Sequence, residues 1–242
     1  MKIKGKNILI TGAGRRIGKF LSVFLARKGG NIVIHYNSSE REALKLAVYL
    51  KQKYQVKVLP VKADLTRSDE LFKLIETVKA RWGHIDILIN NASLYFKTPL
   101  EDVEEETLDV FLAIHLKAPF FLSKEFGKIM YERKEGRIIN IVDYSPLRPY
   151  KDFSAYIISK GALLTLTKVF AKEFAPYVLV NGILPGPIVP AEGIDDKLKP
   201  LEKTLLKKWG GEVEIAKAVN YLIESELTTG GLIPVEAGRL IC

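Results

Sequence analysis

Short apolar runs alternate with longer segments of helical periodicity along nearly the whole chain, and this rhythm restricts the fold more than any other feature. Asn7 to Thr11 is apolar, breaks into glycines, and leads into Ile17 to Lys28, whose apolar residues recur at helical spacing. The unit repeats as Ile32 to His35 with Ser39 to Lys53, Val56 to Val61 with Ser68 to Arg81, and Ile85 to Ile89 with Val103 to Tyr131. A fifth strand at Arg137 to Val142, a helix from about Ser154 to Phe174 and a sixth strand at Val178 to Leu184 continue it. Strands without polar alternation are buried on both faces, so the expected fold is α/β: one doubly wound domain over 1–242, with a parallel sheet of about seven strands covered by helices on both sides.

The rhythm stops at PGPIVPAEG, where prolines and glycines forbid regular structure. A helical stretch around Leu198 to Trp209, a helix from Val213 to Ser225 and a last strand near Leu232 to Glu236 are expected after it. Ligands of open α/β sheets bind beyond the carboxyl ends of the strands, so residues 185–212 read as a substrate lid.

Thr11-Gly-Ala-Gly-Arg-Arg-Ile-Gly18 falls where the first strand turns into the first helix. That context makes it a phosphate loop of the Rossmann type, with Gly12 and Gly18 permitting close backbone approach and the helix amides attracting an anion. NAD-selective sites place a carboxylate after the second strand to accept the ribose 2'-hydroxyl. Here the residues are His35, Tyr36, Asn37 and Ser38, a neutral cluster that with Arg15 or Arg16 suits a 2'-phosphate, so NADP(H) is favoured over NAD. Glu40 opens the next helix and is expected to face solvent.

Tyr156 and Lys160 are four residues apart on an expected helix and project from one face. A phenol is a poor acid or base near neutrality, and a nearby ammonium favours its ionised form, so the pair can act as a tunable proton donor.

The net charge of +9 is spread along the chain instead of gathered into one arm, which favours an anionic small molecule over nucleic acid. No apolar run approaches the ~20 residues of a membrane span. The N-terminal residues lead straight into the first strand, and Cys242 is the single cysteine, so the expectation is a cytoplasmic protein without a signal peptide, disulfide framework or metal site.

Five motifs in order, TGAGRRIG, Asp64-Leu65, NNAS at 90–93, YxxxK at 156–160 and Asn181-Gly182 to Pro185-Gly186, make the chain resemble the short-chain dehydrogenases/reductases over essentially its whole length. The resemblance implies an oxidoreductase, and a homotetramer formed through the helices around 103–131 and 154–174 and the C-terminal strand. It also implies that Asn90, Asn91 and Ala92 lie against the cofactor with Ile17, that Asp64 and Leu65 meet the adenine, and that Pro185-Gly186 flanks the nicotinamide.

Three positions depart from that family's pattern. Arg16 replaces the middle glycine, Asp143 stands thirteen residues before the tyrosine in place of the usual serine, and His115 takes the position of the usual asparagine. Arg16 and Asp143, with HYNSS after strand two and NNASLYFKTPL after strand four, look like the pteridine reductase branch, which reduces dihydropterins. The implied roles are proton delivery by Asp143 with Tyr156, orientation of the nicotinamide ribose by Lys160, pterin stacking on Tyr95, substrate and cofactor contact by Ser93, and phosphate and pterin-edge contact by Arg16. A C=N reduction needs a proton at ring nitrogen, which an aspartate can mediate. Three alternatives stay open: Asp143 as a turn cap with Ser145 donating in an ordinary carbonyl reductase, Tyr95 as core packing, and His115 as relay, titrating group or filler. A 3-oxoacyl-thioester reductase and a catalytically silent NADP sensor are the competing functions.

Overall fold

In a computed structural model describing residues 1–190 and 199–242, the strands are β1 (Asn7–Ile10), β2 (Asn31–Tyr36), β3 (Val58–Lys62), β4 (Ile87–Asn90), β5 (Gly136–Ile141), β6 (Val178–Pro185) and β7 (Leu232–Val235). They form one sheet in the order β3-β2-β1-β4-β5-β6-β7, and every pairing is parallel. The order reverses between β1 and β4, which opens a crevice at their carboxyl ends.

The helices are α1 (Arg16–Arg27), α2 (Glu40–Tyr54), α3 (Ser68–Trp82), α4 (Glu105–Leu112), α5 (Ala118–Glu132), α6 (Ser154–Glu173), α7 (Lys199–Glu202) and α8 (Glu212–Glu224). Alternation along the strands sorts the core into two layers. Ile8, Ile10, Ile32, Ile34, Ile87 and Ile89 pack with α1, α2 and α8, whereas Leu9, Val33 and Leu88 pack with α3, α5 and α6. The expected doubly wound sheet is therefore present.

Two expected helices differ. The long one at Val103 to Tyr131 is a 3-10 turn at Leu100–Asp102, then α4, a π-helical turn at Ala113–Lys117, and α5. The stretch from Leu198 to Trp209 keeps only α7, and Leu198 lies outside the described residues. Beyond α7, the backbone N–H groups of Leu205 and Leu206 donate to the Ala237 carbonyl and Lys207 has φ 49, so bonds to the C-terminal segment replace a helical ladder. Of the expected lid at 185–212, residues 191–198 likewise lie outside the described residues.

Candidate active site

The glycine-rich turn is held from two sides. Asn91 and Ala92 donate their backbone N–H groups to the Thr11 hydroxyl, each at 2.9 Å, and the Asn91 side chain donates to the Thr11 carbonyl at 2.8 Å. Gly12 has φ +63, and a Cβ there would stand 3.0 Å from Ala92 Cα; a Cβ on Gly18 would collide with the Gly12 carbonyl. These glycines keep the β1 and β4 loops close.

On the other side, the Gly12 N–H donates to His35 Nδ1 at 3.1 Å, so the proton of the neutral ring sits on Nε2 and is donated to the Ala63 carbonyl at 2.9 Å. Burial lowers the His35 pKa to about 4. His35 lines the hollow described next, as the sequence reading places it, but both of its ring nitrogens are committed, so there it braces the turn and has no nitrogen left for a phosphate.

A hollow of about 460 Å³ opens above this turn. Gly12, Arg15, Arg16 and Ile17 form one wall, and Tyr36, Asn37 and Ser38 another. Asp64, Leu65, Ala92 and Ser93 complete it. Helix α1 has no side-chain cap and no acid in its first turn, so its N-terminal amides suit an anion. Asp64 accepts from the Thr66 N–H and hydroxyl at 2.9 and 2.8 Å, which fixes its carboxylate at the far end. None of residues 37–39 after β2 is acidic; Glu40, about half exposed, lies 3.5 Å from the Lys62 ammonium and hydrogen-bonds with the Tyr36 side chain. Arg16 has φ 50, where the family pattern carries glycine, and its guanidinium donates to the Pro190 carbonyl at 3.0 Å. Asn90 is a correction: it is buried and donates to Asn140 at 2.8 Å and to Ser123, inside the sheet layer and away from the hollow.

A second hollow of about 490 Å³ adjoins the first, sharing Arg15, Arg16, Ile17, Asn91, Ser93 and Leu94 with it. Its floor is the cluster at the start of α6. The Tyr156 hydroxyl donates to Asp143 Oδ2 at 2.9 Å, while Asp143 Oδ1 accepts the Ser145 N–H at 2.7 Å. Ser145 is fully buried and does not line the hollow, so Asp143, not Ser145, faces the tyrosine. The Lys160 ammonium lies 5.9 Å from the Tyr156 ring centroid and donates to the Ile141 carbonyl at 2.9 Å.

Burial dominates the electrostatics. It pushes the Tyr156 phenol well above its ordinary range, with the Asp143 charge acting in the same direction. Burial raises the Asp143 carboxyl too, and lowers Lys160 to about 8, against the opposing pull of Asp143. The site opposes a phenolate and keeps the proton on the tyrosine.

Tyr95 is 44% exposed, so it is not core packing. Its ring stacks on Phe153 with centroids 4.8 Å apart, meets Tyr156 edge-on at 4.9 Å, and lines the second hollow. Pro185 and Gly186 line the same hollow at the end of β6.

His115 is placed differently from a relay residue. It sits in the π-helical turn, fully buried, accepting at Nε2 from the Leu94 N–H (3.4 Å) and lying 2.9 Å from the Ser93 hydroxyl. Its Nδ1 then donates to Ser159 at 2.8 Å, and Ser159 donates to the Tyr156 carbonyl. Burial and the Lys160 charge hold its pKa well below the ordinary value, so it is a neutral bridge between the β4 loop and α6. The catalytic assignment of His115 becomes one of positioning.

Sequence reasoning missed Thr11, Ser159, Tyr144, Tyr150, Trp209 and Arg239. Tyr144 adjoins Asp143 and Ser159 adjoins Lys160, so proximity to the motifs was a usable signal for both. Arg239 and Trp209 come from segments far along the chain and carried none.

A crevice at the switch point of a parallel sheet, glycine-lined at one end and floored by tyrosine and lysine at the other, defines a Rossmann oxidoreductase. Residues 6–196 match the short chain dehydrogenase profile, and the chain belongs to that family. It is 33% identical to the 2-dehydro-3-deoxy-D-gluconate 5-dehydrogenase of Formosa agariphila, covering 98% of this chain and 94% of that one. It is 31% identical to the dihydromonapterin reductase of Klebsiella pneumoniae, over 96% of this chain and 95% of that one. The crystal structure of FolM alternative dihydrofolate reductase 1 from Brucella canis complexed with NADP superposes with a TM-score of 0.93 at 30% identity, covering 100% of this chain and 96% of that one.

Proposed function

We propose that the protein is an NADPH-dependent reductase of a pterin, converting a dihydropteridine to its tetrahydro form. The observation that carries this reading is the 2.9 Å hydrogen bond from Tyr156 to Asp143. A carboxylate beside the phenol works against the phenolate that alcohol oxidation needs as a base, and favours a tyrosine that stays protonated and holds the Asp143 carboxyl in place. When bound, NADPH supplies the hydride. Gly12 and the α1 amides would hold its pyrophosphate, Asn37 and Ser38 with Arg15 or Arg16 its 2'-phosphate, Asp64 and Leu65 its adenine, and Lys160 its nicotinamide ribose. Likeness to a structure complexed with NADP, and the absence of an acid among residues 37–39 after β2, support that cofactor.

Tyr95 offers an exposed face for a flat ring, and Asp143 lies where a ring nitrogen can take a proton. The Tyr156 hydroxyl orients the Asp143 carboxyl through their hydrogen bond, and a proton drawn from solvent in the open hollow replaces the one Asp143 gives up, so that no phenolate is left behind. A dihydromonapterin reductase among the relatives agrees with this chemistry. We further propose a cytoplasmic homotetramer: Phe120 on α5 with Ile158 and Val169 on α6 leave apolar surface exposed where that assembly would bury it, and none of the described helices is long and apolar enough to cross a membrane.

The test is NADPH oxidation by the purified protein with dihydropterin or dihydrobiopterin and with a 3-oxoacyl thioester. Turnover of the pterin supports the reading. Turnover of the thioester alone refutes it in favour of a carbonyl reductase, and binding of NADPH with neither activity leaves a sensor protein. Light scattering that shows a stable monomer removes the tetramer.

A further inference from the structure

The second hollow contains a cation that the reduction itself does not use. Arg239, in the C-terminal segment, lines it; it does not line the hollow holding Gly12 and Asp64, so it is separate from the phosphate-binding end. Its Nε donates to the Tyr144 hydroxyl at 2.9 Å, one terminal nitrogen donates to the Pro200 carbonyl at 2.9 Å, and the guanidinium lies 5.2 Å from the Tyr144 ring centroid. All its hydrogen-bond acceptors are neutral.

Among the described residues no carboxylate reaches Arg239 within ion-pair distance. Glu236, three residues earlier, accepts the Leu240 N–H at 2.8 Å instead. Arg148 donates to the Arg239 backbone carbonyl and helps tie the segment down. A part-buried guanidinium anchored only by neutral acceptors gains charge-assisted hydrogen bonds when a carboxylate arrives, with little rearrangement to make. Burial raises the pKa of both Tyr95 and Tyr144, and the Arg239 charge opposes that rise at each, so its field reaches across the hollow. Tyr150 lies between them, 3.5 Å from the Tyr95 hydroxyl and stacked beside Tyr144 at 6.0 Å. An aromatic path therefore runs from the ring platform to the cation.

We propose that Arg239 is the receptor for a carboxylate carried on an arm of the substrate beyond the ring that is reduced, so that the preferred substrate class is an acidic, arm-bearing pterin over a neutral one. The ring half of this statement rests on the pterin reading; the anion half rests on Arg239.

Trp209 lines the same hollow, and its fluorescence reports occupancy. The NADP-loaded protein is titrated with 4-aminobenzoylglutamate and with its neutral diamide. Binding of the acid at least tenfold tighter than the diamide is expected, with the ratio falling to near one in Arg239→Gln, which keeps hydrogen-bond donors for Tyr144 but not the charge. Equal binding of the two probes, no binding of either, or a preference that survives Arg239→Gln overturns the proposal. In parallel, Arg239→Gln is expected to raise KM for dihydrofolate at least fivefold more than KM for dihydrobiopterin, and an equal change in the two KM values counts against the proposal. If no pterin is turned over but the probe preference holds, the pterin reading fails and the anion receptor stands.

Discussion

Replacing His35 with leucine separates its bracing role from any direct role in phosphate binding. The wild-type ring is 2% exposed, accepts from Gly12, donates to Ala63, and has its pKa lowered to about 4. Above about pH 6.5 neither folded nor unfolded chain protonates this residue, so its full contribution to stability is present. As pH falls from about 6.5 towards 4 the unfolded chain gains a proton that the folded one cannot hold, and stability drops; below about 4 both states are protonated and the loss levels off. Linkage gives a loss of about 2 kcal/mol at pH 5 and about 3 kcal/mol by pH 4. His35→Leu removes that pH dependence but leaves the Gly12 N–H and Ala63 carbonyl without their partner, at about 1–3 kcal/mol each. The variant is therefore expected to be less stable at pH 7.5, to lose about 2 kcal/mol less than wild type between pH 7.5 and pH 5, and to bind NADP more weakly because Gly12 is unbraced. Urea unfolding at the two pH values measures this, and His115 cancels because both proteins contain it. Equal losses in wild type and variant would refute the argument.

Four further outcomes are expected. Asp143→Ser should lower kcat for a dihydropterin by about 10²-fold or more, within the range for general acid catalysis, while calorimetry shows NADP affinity within twofold. Because Lys160 is charged only below about 8, turnover should fall as pH rises through that value, and Lys160→Met should abolish most activity; a flat profile to pH 10 contradicts the assignment. Arg16→Gly relieves a left-handed backbone while losing the bond to Pro190, and should cut the preference for NADP over NAD by at least tenfold in titration, since a guanidinium–phosphate contact is worth about 1.5–3 kcal/mol; an unchanged preference contradicts the assignment. His115→Asn should reduce kcat without moving either limb of the pH profile; a shifted limb would show that His115 titrates in the reaction.

Much of the candidate site was legible because its motifs sit at element ends, where the residues that shape a turn also line the hollow beside it. The glycine turn, the neutral end of β2 and the Tyr156-Lys160 pair each carry a physical signature within a few residues. Arg239, Tyr150 and Trp209 do not: they lie in irregular segments whose positions are set by bonds such as those from Leu205 and Leu206 to Ala237. The same bonds dissolve most of the helix expected from Leu198 to Trp209, since helical propensity yields where tertiary partners take the backbone donors.

The amino-acid sequence by itself determined the alternating parallel architecture, the place of the glycine turn and the choice of Tyr156, Lys160 and Asp143 as candidates, because hydrophobic period and motif spacing are local properties of the chain. Only the tertiary structure decided the roles. It made His35 a brace and His115 a neutral bridge, turned Asn90 inward, left Tyr95 open to the hollow, and set Arg239 across from it, since a side chain's role depends on burial and hydrogen-bond partners that segments distant in sequence supply.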